Sequence, residues 1–300
     1  MARQIIDTTT DHGTYKGDPA KVAFEKVNAN DAELYGMVTG VAALGGSNML
    51  INCGLPINQR AFAGGALSAG AYGYDRWKAG AGGCNVTINA TTGVFTHTSG
   101  PLQQIVEAPQ LAWGQPLTIS VENPSGSISV SVGGATGTIT AGSGRRGVTL
   151  TPSGSGNMTV QLSATGVTYS RPKLERGSAA TPFEHRPVAL EQLLCQRYYW
   201  RSGTFASANY LGVVYGVIPN GGETRATVCL FFPVAMRVKP AMTTFNPNDS
   251  SSSTGLLIGI ANVAYQSIDY DSAGIYQVNF ASAQVAGRSF IFKVGLDAEL

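Results

Sequence analysis

Hydrophobic and polar residues follow two different periods along this chain. Between Ala20 and Val41 the spacing is seven. Ala20, Val27, Leu34 and Val41 make one row, and Ala23, Asn30 and Met37 make a second row three residues on. This predicts a helix with an a/d seam, opened by Asp18 as N-cap and Pro19 at the first helical position. A helix this short and polar is not stable alone, so its seam needs a partner surface. Self-association is the expectation, with Ala20, Val27, Asn30 and Leu34 as contact residues and Asn30 setting the register.

A small-residue linker, "TGVAALGGSN" (39–48), follows. From there the period drops to two. "NMLINCGLPINQRAF" (48–62) reads as an apolar strand ending in a polar turn. Through Tyr169 one strand pattern follows another: Ile128, Val130 and Val132 share a side, as do Met158, Val160 and Leu162. Gly-rich turns separate them and no helical pattern intervenes, which predicts antiparallel sheets in a sandwich. "SAATPFEHRP" (178–187) holds too much proline for a helix. "VALEQLLCQRYYW" (188–200) spaces Leu190, Leu193, Leu194 and Arg197 helically. Six further strand patterns, richer in aromatics, run from there to the end. The expected class is therefore mainly β: a short N-terminal helix, an antiparallel sandwich, a short linking helix and a second antiparallel sandwich. The expected boundaries are 1–46, 47–187 and 188–300.

Composition supports many short strands. Charged residues are 13% of the chain, against about 25% in a typical globular protein, and glycine is 38 of 300. The net charge is +2 with no basic patch among aromatics, so nucleic acid is not an expected partner. No apolar run approaches the ~20 residues of a membrane helix, and the N-terminus lacks a signal-peptide pattern. Synthesis and first folding in a cytoplasm, without membrane insertion, are expected. Cys53, Cys84, Cys195 and Cys229 have no paired spacing and the histidines are scattered, so no metal is expected and the thiols read as reduced and mostly buried. No G-x-S-x-G, H-E-x-x-H or P-loop occurs, so no catalytic set or cofactor is expected. The best acidic cluster is "SIDYDSAG", with Asp269 and Asp271 on one side of a strand and Tyr270 on the other, suited to a cation or a sugar. His97 and His185 lack nearby nucleophiles in sequence and read as structural.

Two segments carry a resemblance. The first comprises Asn48, Leu50, Ile51, Asn52, Ile57, Gln59 and Arg60, then Asp75, Arg76 and Trp77. The second comprises Leu174, Glu175, Gly177, Ala180, Thr181, Pro182, Phe183, Glu184, Arg186 and Pro187, then Leu194, Cys195, Gln196, Arg197, Tyr198 and Tyr199. Both resemble segments of the tail-fibre and receptor-binding proteins of tailed bacteriophages. "FFPVAMRVKPAM" (231–242) is a weaker third match, and "AFEKVNANDAELY" is similar to the helix near the attachment end of such proteins.

The resemblance implies a virion protein assembled in the host cytoplasm and usually homotrimeric. It implies a jelly roll of carbohydrate-binding-module type at 47–187 and a receptor-binding tip at 188–300. The N-terminus would meet baseplate or tail proteins. The tip would meet a bacterial surface glycan, pilus or outer-membrane protein. A glycan-depolymerising fibre and a purely structural connector are the alternatives. Sugar recognition uses aromatic faces beside polar groups. On that ground the tip candidates are Tyr210, Tyr215, Tyr265, Asp269, Tyr270 and Asp271, with Tyr276 as a further aromatic; the jelly-roll candidates are Tyr72, Tyr74 and Trp113. Leu190 and Leu194 join the oligomerisation set. Arg197 is expected to pair with Glu191 of a neighbouring copy.

Overall fold

The structure, a computed structural model, describes residues 6–14, 16–42, 47–203, 212–247, 249, 254–257 and 261–299, and of 32–42, 254, 256, 257 and 261 the backbone alone. Helix α1 (Ala20–Ala42) forms where the seven-residue spacing predicts it and runs through the start of the expected linker. Phe24 and Val27 stand exposed on it. Asp18 directs its carboxylate to the Asp7 N–H (2.8 Å) and to Lys26 (2.6 Å), tying the preceding segment to the helix.

The middle of the chain is a two-sheet antiparallel sandwich. Its strands are β1 (Gly65–Leu67), β2 (Lys78–Ala79), β3 (Cys84–Ile88), β4 (Val94–Ser99), β5 (Pro101–Val106), β6 (Leu117–Glu122), β7 (Ile128–Val132), β8 (Ala135–Ile139), β9 (Arg145–Leu150), β10 (Met158–Ser163) and β11 (Val167–Arg176). One sheet has the order β1-β3-β4-β11-β6-β9, the other β2-β5-β10-β7-β8. Alternation places Ile128, Val130, Val132, Met158, Val160 and Leu162 in the core between them, with Trp77, Phe95 and Tyr169. The expected strand at 48–62 is absent. Asn52 takes a positive φ of 62°, and its side chain bonds the Ile57 N–H and the Ile57 and Asp75 carbonyls. Asparagine side chains thus take backbone bonds that a strand would give to a ladder. The segment folds inward as a loop, burying Leu50 and Cys53.

β6 is buried on both faces. The inner face meets the core; over the outer face passes the extended segment after β11, where Thr118 donates to the Gly177 carbonyl (2.8 Å). Helix α2 (Val188–Gln196) then leads into β12 (Tyr199–Arg201). The remaining strands are β13 (Val214–Val217), β14 (Arg225–Phe231), β15 (Ala241–Phe245), β16 (Thr254–Leu257), β17 (Ala261–Ala264), β18 (Ser267–Tyr270), β19 (Gly274–Asn279) and β20 (Ser289–Asp297). Residues 254–271, counted among the six expected strand patterns as one, supply three strands. β20 organises the rest. Its first half pairs with β13 and β16, its second half with β12 and β15. A second core gathers here around Phe280, Phe290, Phe292, Val294 and Leu296, with Phe280 edge-on to Phe290 at 4.9 Å. All described strand pairs are antiparallel. No described helix is long and apolar enough to cross a membrane.

Candidate functional site

The residues of the two resembling segments lie far apart in sequence and meet in space. Gln59 donates from Nε2 to Asp75 Oδ2 and to the Tyr199 carbonyl, both at 2.7 Å. Arg60 pairs with Asp297 (3.0 Å) and lies over the Tyr199 ring at 3.7 Å. Arg76, itself at φ 70°, covers the Tyr198 ring at 3.5 Å, donates to the Ile105 carbonyl (2.5 Å) and pairs with Glu299. Trp77 donates to the Asn52 carbonyl at 2.8 Å. Tyr198 and Arg197 both reach Glu107, at 2.8 and 3.2 Å. These side chains join the sandwich to the C-terminal strands. Arg76 and Glu299 are almost fully buried, which leaves no face for a ligand. Burial pushes the Asp75 carboxyl up to about 6, against the hydrogen bonds of Gln59 and the charge of Arg60.

The second segment has its own buried centre. Lys173 pairs with Glu175 at 3.0 Å and donates to Thr181 Oγ1 and to the Pro182 carbonyl (2.9 Å). Glu175 accepts the Thr181 N–H (2.8 Å) and hydroxyl. Arg186 donates to the Leu50 and Asn48 carbonyls and pairs with Glu191 at 3.1 Å. One expectation is corrected here. Arg197 pairs with Glu107, and Glu191 with Arg186 and the Asn52 N–H, all within one chain. Neither is left for the other in a neighbouring copy. Leu190 and Leu193 remain exposed on α2 and Leu194 is half-buried; Leu34 lies on the backbone-only part of α1.

The expected sandwich aromatics divide. Tyr74 is buried edge-on against Phe62, and its hydroxyl takes the Ile88 N–H at 3.0 Å. It has no face for a sugar, which corrects that assignment. Tyr72 is half-buried beneath Arg60 and Lys78. Trp113 bonds the Gly156 carbonyl (3.0 Å) and lines an open groove with Leu111, Gln115, Pro116 and Arg176. His97 proves to have a thiol close by: Cys84 Sγ is 3.6 Å from Nε2. This is not a nucleophile–base pair. Nε2 is 2.7 Å from the Gly100 carbonyl and Nδ1 3.1 Å from the Tyr169 hydroxyl, so the ring is already satisfied on both sides. Burial pushes the thiol up to about 11 and the imidazole down, so both stay neutral near pH 7. Cys53 and Cys195 are buried as expected, whereas Cys229 is exposed.

The tip candidates separate onto two faces. Tyr265 and Tyr270 pack against the second core, and the Tyr270 hydroxyl donates to the Pro240 carbonyl at 3.1 Å. Both are half-buried and turned toward that core, away from the face that carries Tyr215 and Asp269. Tyr210 lies outside the described residues. Tyr215 and Asp269 stand on the opposite, outer face. There the register aligns Val217, Thr227, Gln277 and Asp269 in one row across β13, β14, β19 and β18, and Arg225, Asn279 and Ser267 in the next. Asp269 Oδ2 accepts Gln277 Nε2 (3.2 Å) and Asn279 Nδ2 (3.3 Å), Asn279 Nδ2 also donates to Ser267 (3.0 Å), and Gln277 donates to Asn279 Oδ1 (2.5 Å).

The ladder slips beside Tyr276, where the β18 and β14 pairings with β19 both shift. Bulges of this kind re-aim a side chain. Tyr276 points outward, with its hydroxyl donating to Asp271 at 2.9 Å. β18 ends at Tyr270, so Asp271 is in the following turn and not on the strand side of Asp269. It also accepts the Ala273 (2.7 Å) and Gly274 (3.1 Å) N–H groups. These bonds hold its carboxyl below the usual range, and the same contact raises the Tyr276 phenol. Phe231 pairs with Gly274 and is 69% exposed, a diagonal neighbour of Tyr276. The face thus sets fixed amide and carboxylate groups among three exposed aromatic rings. Gln277, Asn279, Thr227 and Phe231 were not singled out from sequence; their two-residue alternation with buried Ala226, Val228 and Val278 was the available signal.

Among the described residues no three His, Cys, Asp or Glu side chains gather as a metal site. No protein-family model matches the chain, and no curated protein matches it.

Proposed function

We propose that this chain is a tail-fibre or receptor-binding protein of a tailed bacteriophage, working in the virion as a homotrimer. Its N-terminal helix meets the tail or baseplate, its sandwich is a jelly roll, and its C-terminal strands meet the host surface. The observation that carries this reading is the junction. Residues of both resembling segments, Gln59, Arg60 and Arg76 from one and Arg197, Tyr198 and Tyr199 from the other, make a single contact set. That gives the resemblance a common physical purpose, to hold a terminal unit on a carrier. The exposed Phe24 and Val27 on α1 and Leu190 and Leu193 on α2 suit contacts between copies.

Binding is favoured over cleavage at the outer face. A glycosidase needs one carboxyl kept protonated as the acid. Both carboxyl groups of this region are taken up by hydrogen-bond donors instead: Asp269 Oδ2 accepts two side-chain amides, and Asp271 accepts the Ala273 and Gly274 N–H groups and the Tyr276 hydroxyl.

Mass photometry of the full chain at micromolar concentration is expected to give three times 31.2 kDa, and that trimer, added in excess, to slow phage adsorption to its host. A monomer would contradict the assembly. A trimer that leaves adsorption unchanged would favour the connector.

A further inference from the structure

We infer that the outer face of β13, β14, β19 and β18 is a binding strip for a neutral, diol-bearing polysaccharide. This rests on the attachment reading and names the ligand class for it. Four observations point the same way. The first is shape: the row Val217–Thr227–Gln277–Asp269 crosses four strands, about 14 Å at ~4.8 Å per strand spacing. An extended chain fits such a strip better than a small compact ligand does.

The second is the mixture of groups. Tyr215 is 58% exposed, Phe231 69% and Tyr276 40%. A sugar ring offers a C–H face to such rings and hydroxyls around its rim. The rim meets Asp269, Gln277, Asn279, Ser267 and Thr227, which supply both donors and acceptors. Vicinal hydroxyls donate naturally to a carboxylate. Asp269 Oδ2 is taken by two amides, and among the described residues no hydrogen bond ends on Oδ1.

The third is preorganisation. The ladder bonds fix the two amides and the carboxylate to one another, and Asp271, anchored by two backbone N–H groups, tethers Tyr276. Little side-chain freedom is then lost on binding. The fourth is charge. Asp269 stands on the face and Asp271 in the turn at its end, where Lys239 acts on it, while Arg225 is directed to Glu223 at 3.5 Å. These charges leave no positive surplus to hold an anionic polymer, which favours the neutral class. Weak contacts at one strip gain strength when several copies engage one polymer.

The test uses the fluorescently tagged full chain on cells of the phage's host. The cells are left untreated, oxidised with periodate to cleave vicinal diols, or shaved with a protease. Oxidation is expected to lower bound protein about tenfold or more, and protease to change it by less than about twofold. Asp269→Ala and Tyr276→Ala are each expected to lower binding to untreated cells by about tenfold with the trimer mass unchanged. Binding that survives oxidation and is lost to protease would overturn the ligand class and leave attachment standing. A change of oligomeric mass in either variant would assign the strip to subunit contact. No binding of the unaltered chain to untreated cells would instead overturn the attachment reading.

Discussion

Arg76→Ala is expected to destabilise the protein by about 3–5 kcal/mol, the cost of removing one partner from a buried ion pair. Glu299 would be left buried at 3% exposure with its principal cation gone. Tyr198 would lose the guanidinium over its ring, and the Ile105 carbonyl would lose a donor. Arg60 is 3.5 Å from Glu299 and offsets only part of this, since it already serves Asp297 and Tyr199. The damage should concentrate at the junction. Urea unfolding followed by tryptophan fluorescence is expected to split into two steps, and proteolysis to cut faster between β11 and β12. Glu299→Gln, which leaves Arg76 buried instead, should split the transition in the same way. A single transition in both variants, shifted by less than about 1 kcal/mol, would show that the pair contributes little.

Lys173→Met should cost a similar amount, about 3–5 kcal/mol, by a different route. Lys173 and Glu175 are 1% and 0% exposed. They form a polar layer between the outer face of β11 and the extended chain at Thr181–Pro182. Removing the ammonium leaves a carboxylate with hydroxyl and amide donors and only the Arg145 guanidinium, with which it makes no ion pair, as counter-charge. The double variant Lys173→Met/Glu175→Met is expected to recover part of the loss, because no unpaired charge stays buried, although the Thr181 N–H and the Pro182 carbonyl lose their partners. Urea denaturation of the single and double variants checks this. A single variant as stable as the original would sink the idea that this layer holds the 177–187 segment in place.

Much of this was legible in the chain, and the failures have physical causes. The strands at 128–132 and 158–163 each bury one face, so their period of two stands out, and the spacing of seven marks the helix at 20–42 although Phe24 and Val27 stand exposed on it. At 48–62 the apolar run imitates a strand. Asn48 and Asn52 override it by bonding backbone groups, Asn48 to the Leu50 and Leu174 N–H and to the Pro172 carbonyl. The partner of Arg76 could not be read at all, because Glu299 is 223 residues away. The outer face was half visible. Asp269 and Tyr215 follow from alternation, but joining them to Gln277, Asn279 and Tyr276 requires the register of three strand pairs and the slip at Tyr276. Tyr265 and Tyr270 look the same as Tyr215 in sequence; only the sheet decides that they turn toward Phe290 and Pro240.

A structural role at the junction and a contact role at the outer face are separable by experiment. The most direct test compares the full chain with a triple variant, Tyr215→Ala/Asp269→Ala/Gln277→Ala, as competitors of phage adsorption. All three side chains lie on the open side of the sheet, so the variant should keep the original's oligomeric mass and urea midpoint. The original chain is expected to block adsorption, and the triple variant to need at least about a hundredfold more protein to do so. Equal blocking by a folded variant of unchanged oligomeric mass would contradict the assignment of contact to this face.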